Sequence, residues 1–83
     1  MVLASIIERL IVHLMKELSV QEIDPKKDLF SSGVLDSYTA LEFILFVEGE
    51  FEIQFTQDEL TNREISRVEG LAKMIHDKVK AKE

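Results

Sequence analysis

The sequence from residue 28 to residue 51 reads DLFSSGVLDSYTALEFILFVEGEF, and it joins a polar loop to an apolar helix. Asp36 stands at the junction, where aspartate is a favoured N-cap residue. Ser37 follows in the first turn, so its hydroxyl lies beside unpaired backbone N–H groups and the positive end of the helix dipole. That position suits a phosphate ester. Ser37 is therefore the candidate reactive residue.

Apolar residues at spacings of three and four, with capping signals, predict four helices around this stretch. The predicted helices are a first from Val2 to Leu18, a second from Asp36 to about Phe51, a short third from Gln57 to Asn62 after a capping box at Thr56, and a last one after a capping box at Ser66. Ser19 to Leu35 contains the only proline and predicts a long loop. The expected fold is all-α: a small four-helix bundle with three main helices, a short third helix and a long loop between helices 1 and 2.

The second helix has two apolar sides. We expect its core side to consist of Leu41, Ile44, Val47 and Phe51, with Ala40 and Phe43 beside them. Tyr38, Glu42, Leu45 and Gly49 fall on the other side, and Phe46 near the boundary is expected to be crowded by neighbours. An apolar centre with an acidic edge is typical of a docking surface. In the loop, Leu29, Phe30, Val34 and Leu35 are expected to contact the core, and Gly33 to take a positive φ angle.

Length and charge limit the possible functions. The 83 residues predict one domain spanning 1–83, too small to enclose a deep enzyme cleft easily. The net charge is −6, and residues 36–69 hold nine acidic residues against two arginines. The negative electrostatic field of these acidic residues argues against nucleic acid as a partner and favours basic protein surfaces. The amphipathic first helix is no signal peptide or membrane span, so a cytoplasmic monomer without membrane insertion is expected.

Other site chemistries fit poorly. The loop from Asp24 to Leu35 has the length of an EF-hand, but Lys26, Leu29 and Leu35 stand where ligands or glycine are needed. His13 and His76 lack metal-ligand spacing and are expected to be solvated, so no metal site is predicted. No nucleophile elbow surrounds Ser37, and no glycine-rich phosphate loop exists. Without cysteine, any thiol chemistry requires an added group.

The order of these elements resembles that of acyl carrier proteins, the phosphopantetheine-binding carrier family. The matching positions are a loop anchor at Asp28-Leu29-Phe30, the loop glycine Gly33, the modification dipeptide Asp36-Ser37, core positions at Leu41, Ile44, Val47 and Phe51, recognition acids at Glu42 and Glu48, the Glu50-Phe51 pair, and Ile65-Ser66 with Val68 before the last helix. Tyr38 follows the serine where leucine is usual, and Thr39 and Gly49 replace frequent acids. The second helix is thus less acidic than in fatty-acid-synthase carriers, and Val34-Leu35-Asp36-Ser37 looks more like the corresponding stretch of stand-alone carriers that serve dedicated ligases, including the D-alanyl carrier group.

The resemblance implies a carrier rather than an enzyme, with no catalytic residue. A phosphopantetheinyl transferase would attach 4′-phosphopantetheine covalently to Ser37, with Asp36 helping to position the transferase's metal and coenzyme. The arm would hold an acyl or aminoacyl thioester for fatty acid, polyketide or aminoacyl biosynthesis. The implied partners are the transferase, a loading ligase and a downstream acyltransferase or synthase. Tyr38, Glu42, Leu45 and Glu48 would form the partner-binding face, and an apolar cargo would lie against Leu41, Leu60 and Ile65.

Two alternatives remain open from the residues. The first is an unmodified helical interaction module with the same fold, in which Ser37 is only a helix-start residue. The second is a small hydrolase that uses Ser37 as its nucleophile. Among cargoes, fatty acyl, polyketide, D-alanyl and other aminoacyl groups all fit the sequence.

Overall fold

The protein is described by a computed structural model that covers residues 2–83. Its α-helices are α1 (Leu3–Leu18), α2 (Ser37–Phe51), α3 (Gln57–Leu60) and α4 (Val68–Lys82), and a 3₁₀ helix (Arg63–Ser66) precedes α4. Within residues 2–83 there is no β-strand. The predicted all-α bundle is therefore confirmed, with three long helices and a short third one. None of the helices in this described part is long and apolar enough to cross a membrane.

Helices α1 and α4 pack against each other, and α1, α2 and α4 all contribute buried residues to the core. In α1, Ile6, Leu10 and Leu14 recur every fourth residue, and each is at most 1% exposed. This spacing places them on one side of the helix, as the periodicity predicts. The remaining buried apolar residues are Leu29, Leu35, Phe43, Val47, Phe51, Ile53, Phe55, Val68, Leu71, Ala72 and Ile75.

The long loop between α1 and α2 is attached to the start of α4. The backbone N–H of Leu29 donates to the carbonyl of Ser66, and that of Glu69 donates to the carbonyl of Pro25, each at 2.9 Å. Leu29 and Leu35 are buried, as predicted. Gly33 has the expected positive φ of 82°. The loop is therefore an ordered element that fixes the direction from which the chain enters α2.

Two predictions about this loop and the last helix are wrong. Phe30 is 47% exposed and does not contact the core as expected. Ser66 does not cap α4: it ends the 3₁₀ helix, and its hydroxyl donates to the carbonyl of Arg63 at 2.9 Å. Arg67 is the N-cap residue of α4 and makes no side-chain capping bond. The predicted third helix also ends earlier, at Leu60 rather than Asn62, although its capping box at Thr56 and Glu59 is present.

The side of α2 that faces the core also differs from the prediction. Leu41 was expected in the core but is 59% exposed, whereas Phe43 is only 6% exposed. Val47 and Phe51 are buried as predicted, and Ile44 is partly buried against the core. Because α2 carries apolar residues on most of its sides, its periodicity does not determine which of them face α1 and α4.

Candidate functional site

The start of α2 is fixed by Asp36. One carboxylate oxygen of Asp36 accepts a hydrogen bond from the backbone N–H of Thr39 at 2.8 Å, which is the predicted N-cap bond. This N–H group lowers the pKa of Asp36 from its usual value, so the residue is ionised at neutral pH. Ser37 is the first residue of α2 and is exposed. The Ser37 hydroxyl therefore lies on the surface, at the positive end of a helix of 15 residues.

Burial and hydrogen bonds fix the backbone of the loop that precedes Ser37. Leu35 is buried, and its N–H donates to the carbonyl of Leu29 at 2.9 Å. Asp28 accepts hydrogen bonds from the N–H groups of Phe30 and Ser31, and the bond from Ser31 contributes most to lowering the pKa of Asp28. These local bonds, together with the attachment to α4, leave the Ser37 side chain exposed on an ordered backbone.

An apolar groove of about 370 Å³ lies beside the start of α2. Leu41 of α2, Leu60 of α3 and Ile65 of the 3₁₀ helix all line this groove. The other lining residues are Phe30, Leu35, Ala40, Phe43, Ile44, Leu45, Glu48 and Ser66. Ser37 lies in the chain between Leu35 and Ala40, and both of these residues contribute to the groove. The exposed hydroxyl and the apolar groove are therefore neighbouring features.

The exposed side of α2 carries large apolar residues. Tyr38 is 72% exposed, and Leu41 and Leu45 are each 59% exposed. Their spacing of three and four residues puts them on one side of the helix. Glu42 is exposed next to them. Exposed apolar side chains in a continuous row mark an interaction surface more often than isolated ones do. Tyr38, Glu42 and Leu45 of the expected partner-binding face lie on this exposed side.

Two acidic residues of α2 have structural partners. The Glu48 carboxylate accepts a hydrogen bond from the N–H of Phe55 at 2.9 Å, so it holds the connector between α2 and α3. Glu50 forms an ion pair with Arg9 of α1 at 3.3 Å. Among residues 2–83, no cation lies within ion-pair distance of Glu42. The acidic edge of the exposed side is therefore narrower than the sequence indicates, and Glu48 faces the connector as well as the groove.

An aromatic cluster behind α2 was not predicted. The His13 ring of α1 stacks on Phe46 with centroids 3.6 Å apart and planes 4° apart, and Phe43 lies 5.9 Å from His13. His13 is therefore half-buried in the packing between α1 and α2, and not solvated as the sequence suggested. Phe46 is crowded by this neighbour, as expected. The spacing of Phe43 and Phe46 hinted at a pair, but only the tertiary contact with α1 shows the stack.

These features define a class of small helical protein that presents an exposed serine at a helix start, beside an apolar groove. The family described as "Phosphopantetheine attachment site" matches residues 5–75, which is most of the chain. No curated protein and no solved structure matches the chain. The protein belongs to the phosphopantetheine attachment family, whose members are carriers rather than catalysts and hold 4′-phosphopantetheine covalently on a serine.

Proposed function

We propose that Ser37 is the residue that carries 4′-phosphopantetheine, and that the chain holds and delivers an acyl group bound to this arm. The main support is the position of Ser37, which is exposed at the start of α2 within the region that matches the family. In the attachment step, the Ser37 hydroxyl oxygen forms a bond to phosphorus and the bond between the two phosphates of coenzyme A breaks. The hydroxyl proton passes to a base of the transferase, and 3′,5′-ADP leaves.

The residues around Ser37 fit a phosphate ester. The positive end of the α2 dipole favours a negative group there, and the exposed hydroxyl leaves room for a transferase to approach. The attached arm supplies the thiol that this cysteine-free chain lacks. Asp36 keeps the helix start rigid and, being ionised, can contribute its second carboxylate oxygen to the metal and coenzyme bound by the transferase.

The groove supports an apolar acyl chain as the cargo. Its lining is almost entirely apolar, and Leu41, Leu60 and Ile65 approach it from three different elements. Burial of each methylene group is worth about 0.8 kcal/mol, so a saturated chain gains far more from this groove than an alanyl group does. We expect NMR shifts of Leu41, Leu60 and Ile65 to differ between the arm-bearing protein and its long-chain acyl form. Identical shifts in the two forms would contradict this part of the proposal.

The exposed side of α2 supports weak, charge-steered docking of partner enzymes. Tyr38 and Leu45 supply the apolar contact, while Glu42 and the net charge of −6 attract basic surfaces. The partners are the phosphopantetheinyl transferase, an acyl- or aminoacyl-loading ligase, and a downstream acyltransferase or synthase. Because electrostatic steering acts mainly on association rates and is screened by salt, these encounters are expected to be short-lived and sensitive to ionic strength.

Intact mass spectrometry tests the attachment site. After incubation with coenzyme A and a phosphopantetheinyl transferase, the protein should gain the mass of one phosphopantetheine, and Ser37→Ala should gain none. Ser32→Ala is the matched control, because Ser32 is also exposed and lies in the loop just before α2. This variant should be modified as the unchanged protein is. An unmodified wild-type chain would favour the alternative of a helical interaction module. Modification of Ser37→Ala would place the arm on another residue.

A further inference from the structure

Phe43 lies between two cavities. It lines the groove, and it also lines a smaller crevice of about 150 Å³ between α1 and α2. The crevice is formed on the α1 side by His13, Leu14 and Glu17, and on the α2 side by Thr39, Glu42 and Phe46. Of the residues described, Phe43 is the only one that borders both spaces. Its side chain therefore separates the groove from additional space behind α2.

The Phe43 ring is held in place by the aromatic cluster. It is 6% exposed, with its centroid 5.9 Å from that of His13 and 6.5 Å from that of Phe46, and all three rings are nearly parallel. The tight stack of His13 on Phe46, with ring centroids 3.6 Å apart, packs beside Phe43 and borders the crevice. A buried ring packed in this way cannot move aside without disturbing its neighbours. Phe43 is consequently a firmly packed part of the groove lining, on the side that faces the crevice.

We infer that Phe43 sets the maximum length of the apolar cargo that the carrier shelters. This inference rests on the proposed function, because it requires an acyl chain in the groove. A chain short enough to end at the Phe43 ring is covered along its whole length. A longer chain must leave its last methylene groups in water. Replacing Phe43 by a smaller side chain joins the groove to the crevice, so that more methylene groups of the acyl chain are covered. Each additional covered methylene group strengthens the binding of the acyl chain to the protein by about fourfold.

A series of saturated acyl chains tests the role of Phe43. The transferase loads the protein from coenzyme A thioesters of increasing chain length, and mass spectrometry verifies each product. The rate at which hydroxylamine cleaves the thioester then reports how well the chain is sheltered. In the unchanged protein, protection should rise with chain length and then level off. In Phe43→Leu the rise should continue for several more methylene groups, with about fourfold more protection for each.

Phe46→Leu is the matched control, because Phe46 borders the crevice but not the groove. This variant should level off at the same chain length as the unchanged protein. Phe43→Met, which retains most of the side-chain volume but is flexible, provides a second variant should Phe43→Leu fail to fold. As a direct readout, the NMR signals of His13 should respond to the longest chains in the Phe43 variants and not in the unchanged protein.

The possible results separate the inference from the proposed function. If the protein gains no mass at Ser37, the proposed function is wrong and the inference fails with it. If the protein is loaded, but Phe43→Leu and Phe43→Met level off at the same chain length as the unchanged protein, only the inference is wrong. An equal extension in Phe46→Leu also overturns it, because general loosening of the core would then explain the effect.

Discussion

Asp36 and Ser37 are adjacent in the chain and have separate tasks. Asp36 uses one carboxylate oxygen to hold the N–H of Thr39, which satisfies a backbone donor that the helix itself cannot satisfy. Ser37 makes the first turn of α2 and keeps its side chain exposed. The capping residue thus orders the backbone so that its neighbour can present a hydroxyl at a defined place.

Gly70 of α4 is packed closely against the 3₁₀ helix. A Cβ atom at this position would lie 2.5 Å from the backbone carbonyl oxygen of Glu64. We predict that Gly70→Ala lowers the free energy of unfolding by about 1–3 kcal/mol, because the backbone oxygen cannot move aside cheaply. Urea denaturation of the purified variant measures this change.

Gly49→Ala is the control for that substitution. Gly49 also lies within an α-helix, but a Cβ atom there meets no atom within 4 Å. Alanine should therefore raise the free energy of unfolding by about 0.5–1 kcal/mol, as expected for an unhindered helix position. If Gly70→Ala were as stable as Gly49→Ala, the 3₁₀ helix would not approach α4 closely at Gly70.

At the scale of elements, α3 depends on its neighbours. With four residues it is too short to be stable by itself. Its capping box secures its start, and Glu59 also forms an ion pair with Lys78 of α4 at 2.7 Å. The neighbouring Leu60 contributes to the groove. The Glu59 carboxylate therefore links α3, and with it one side of the groove, to α4.

The Glu59–Lys78 pair predicts a specific dependence on pH. The Lys78 ammonium, followed by the N–H of Thr56, lowers the pKa of Glu59 below its usual 4.5. A carboxyl whose pKa is lower in the folded state stabilises the fold fully above about pH 4.5, and this contribution is lost as the pH falls through the lowered pKa. Lys78→Met should reduce the free energy of unfolding by about 1 kcal/mol or less at pH 7. The difference from the unchanged protein should shrink as the pH falls below 4.5.

Denaturation curves at pH 7 and at pH 3, with Lys80→Met as a control, measure this effect. Lys80 lies in the same last part of α4 but is exposed, and no ion pair involves it within residues 2–83. Its replacement should change stability less at pH 7. Equal losses for Lys78→Met and Lys80→Met at neutral pH would show that the ion pair does not stabilise α3.

At the scale of the whole molecule, negative charge is concentrated in a part of the chain that also carries exposed apolar side chains. Residues 36–69 carry nine acidic residues against two arginines, and they include the exposed Tyr38, Leu41 and Leu45. Such a surface attracts basic partners, but its charges also repel one another. Lys82 offsets part of this repulsion, because its ammonium group donates to the carbonyls of Phe51 and Glu52 at the negative end of α2.

This charge distribution predicts that moderate salt stabilises the fold. The screening length falls from about 30 Å at 0.01 M to about 8 Å at 0.15 M ionic strength, which weakens repulsion among the acids. The exposed ion pairs lose little in comparison, because such pairs contribute little. We expect the Tm measured by calorimetry to rise by a few degrees over this range of NaCl. A Tm that falls with added NaCl would mean that the ion pairs outweigh the repulsion.

The sequence alone determined the features that depend on neighbouring residues. The helices α1, α2 and α4 follow from their apolar spacing, and the starts of α2 and α3 follow from the caps at Asp36 and Thr56. The positive φ of Gly33 is also a local requirement. Each of these features is stabilised by hydrogen bonds or dihedral preferences within a few residues. They can therefore be predicted from the local sequence without any tertiary contact.

The tertiary structure alone decided which side of α2 is buried. Phe43 rather than Leu41 faces the core because α1 brings His13 against the aromatic pair of α2, a contact between residues about thirty positions apart. Ser66 likewise ends a 3₁₀ helix instead of capping α4, because its carbonyl accepts the N–H of Leu29 from the long loop. The sequence of a helix that is apolar on most sides does not determine which side faces the core. Packing against distant segments of the chain determines that side.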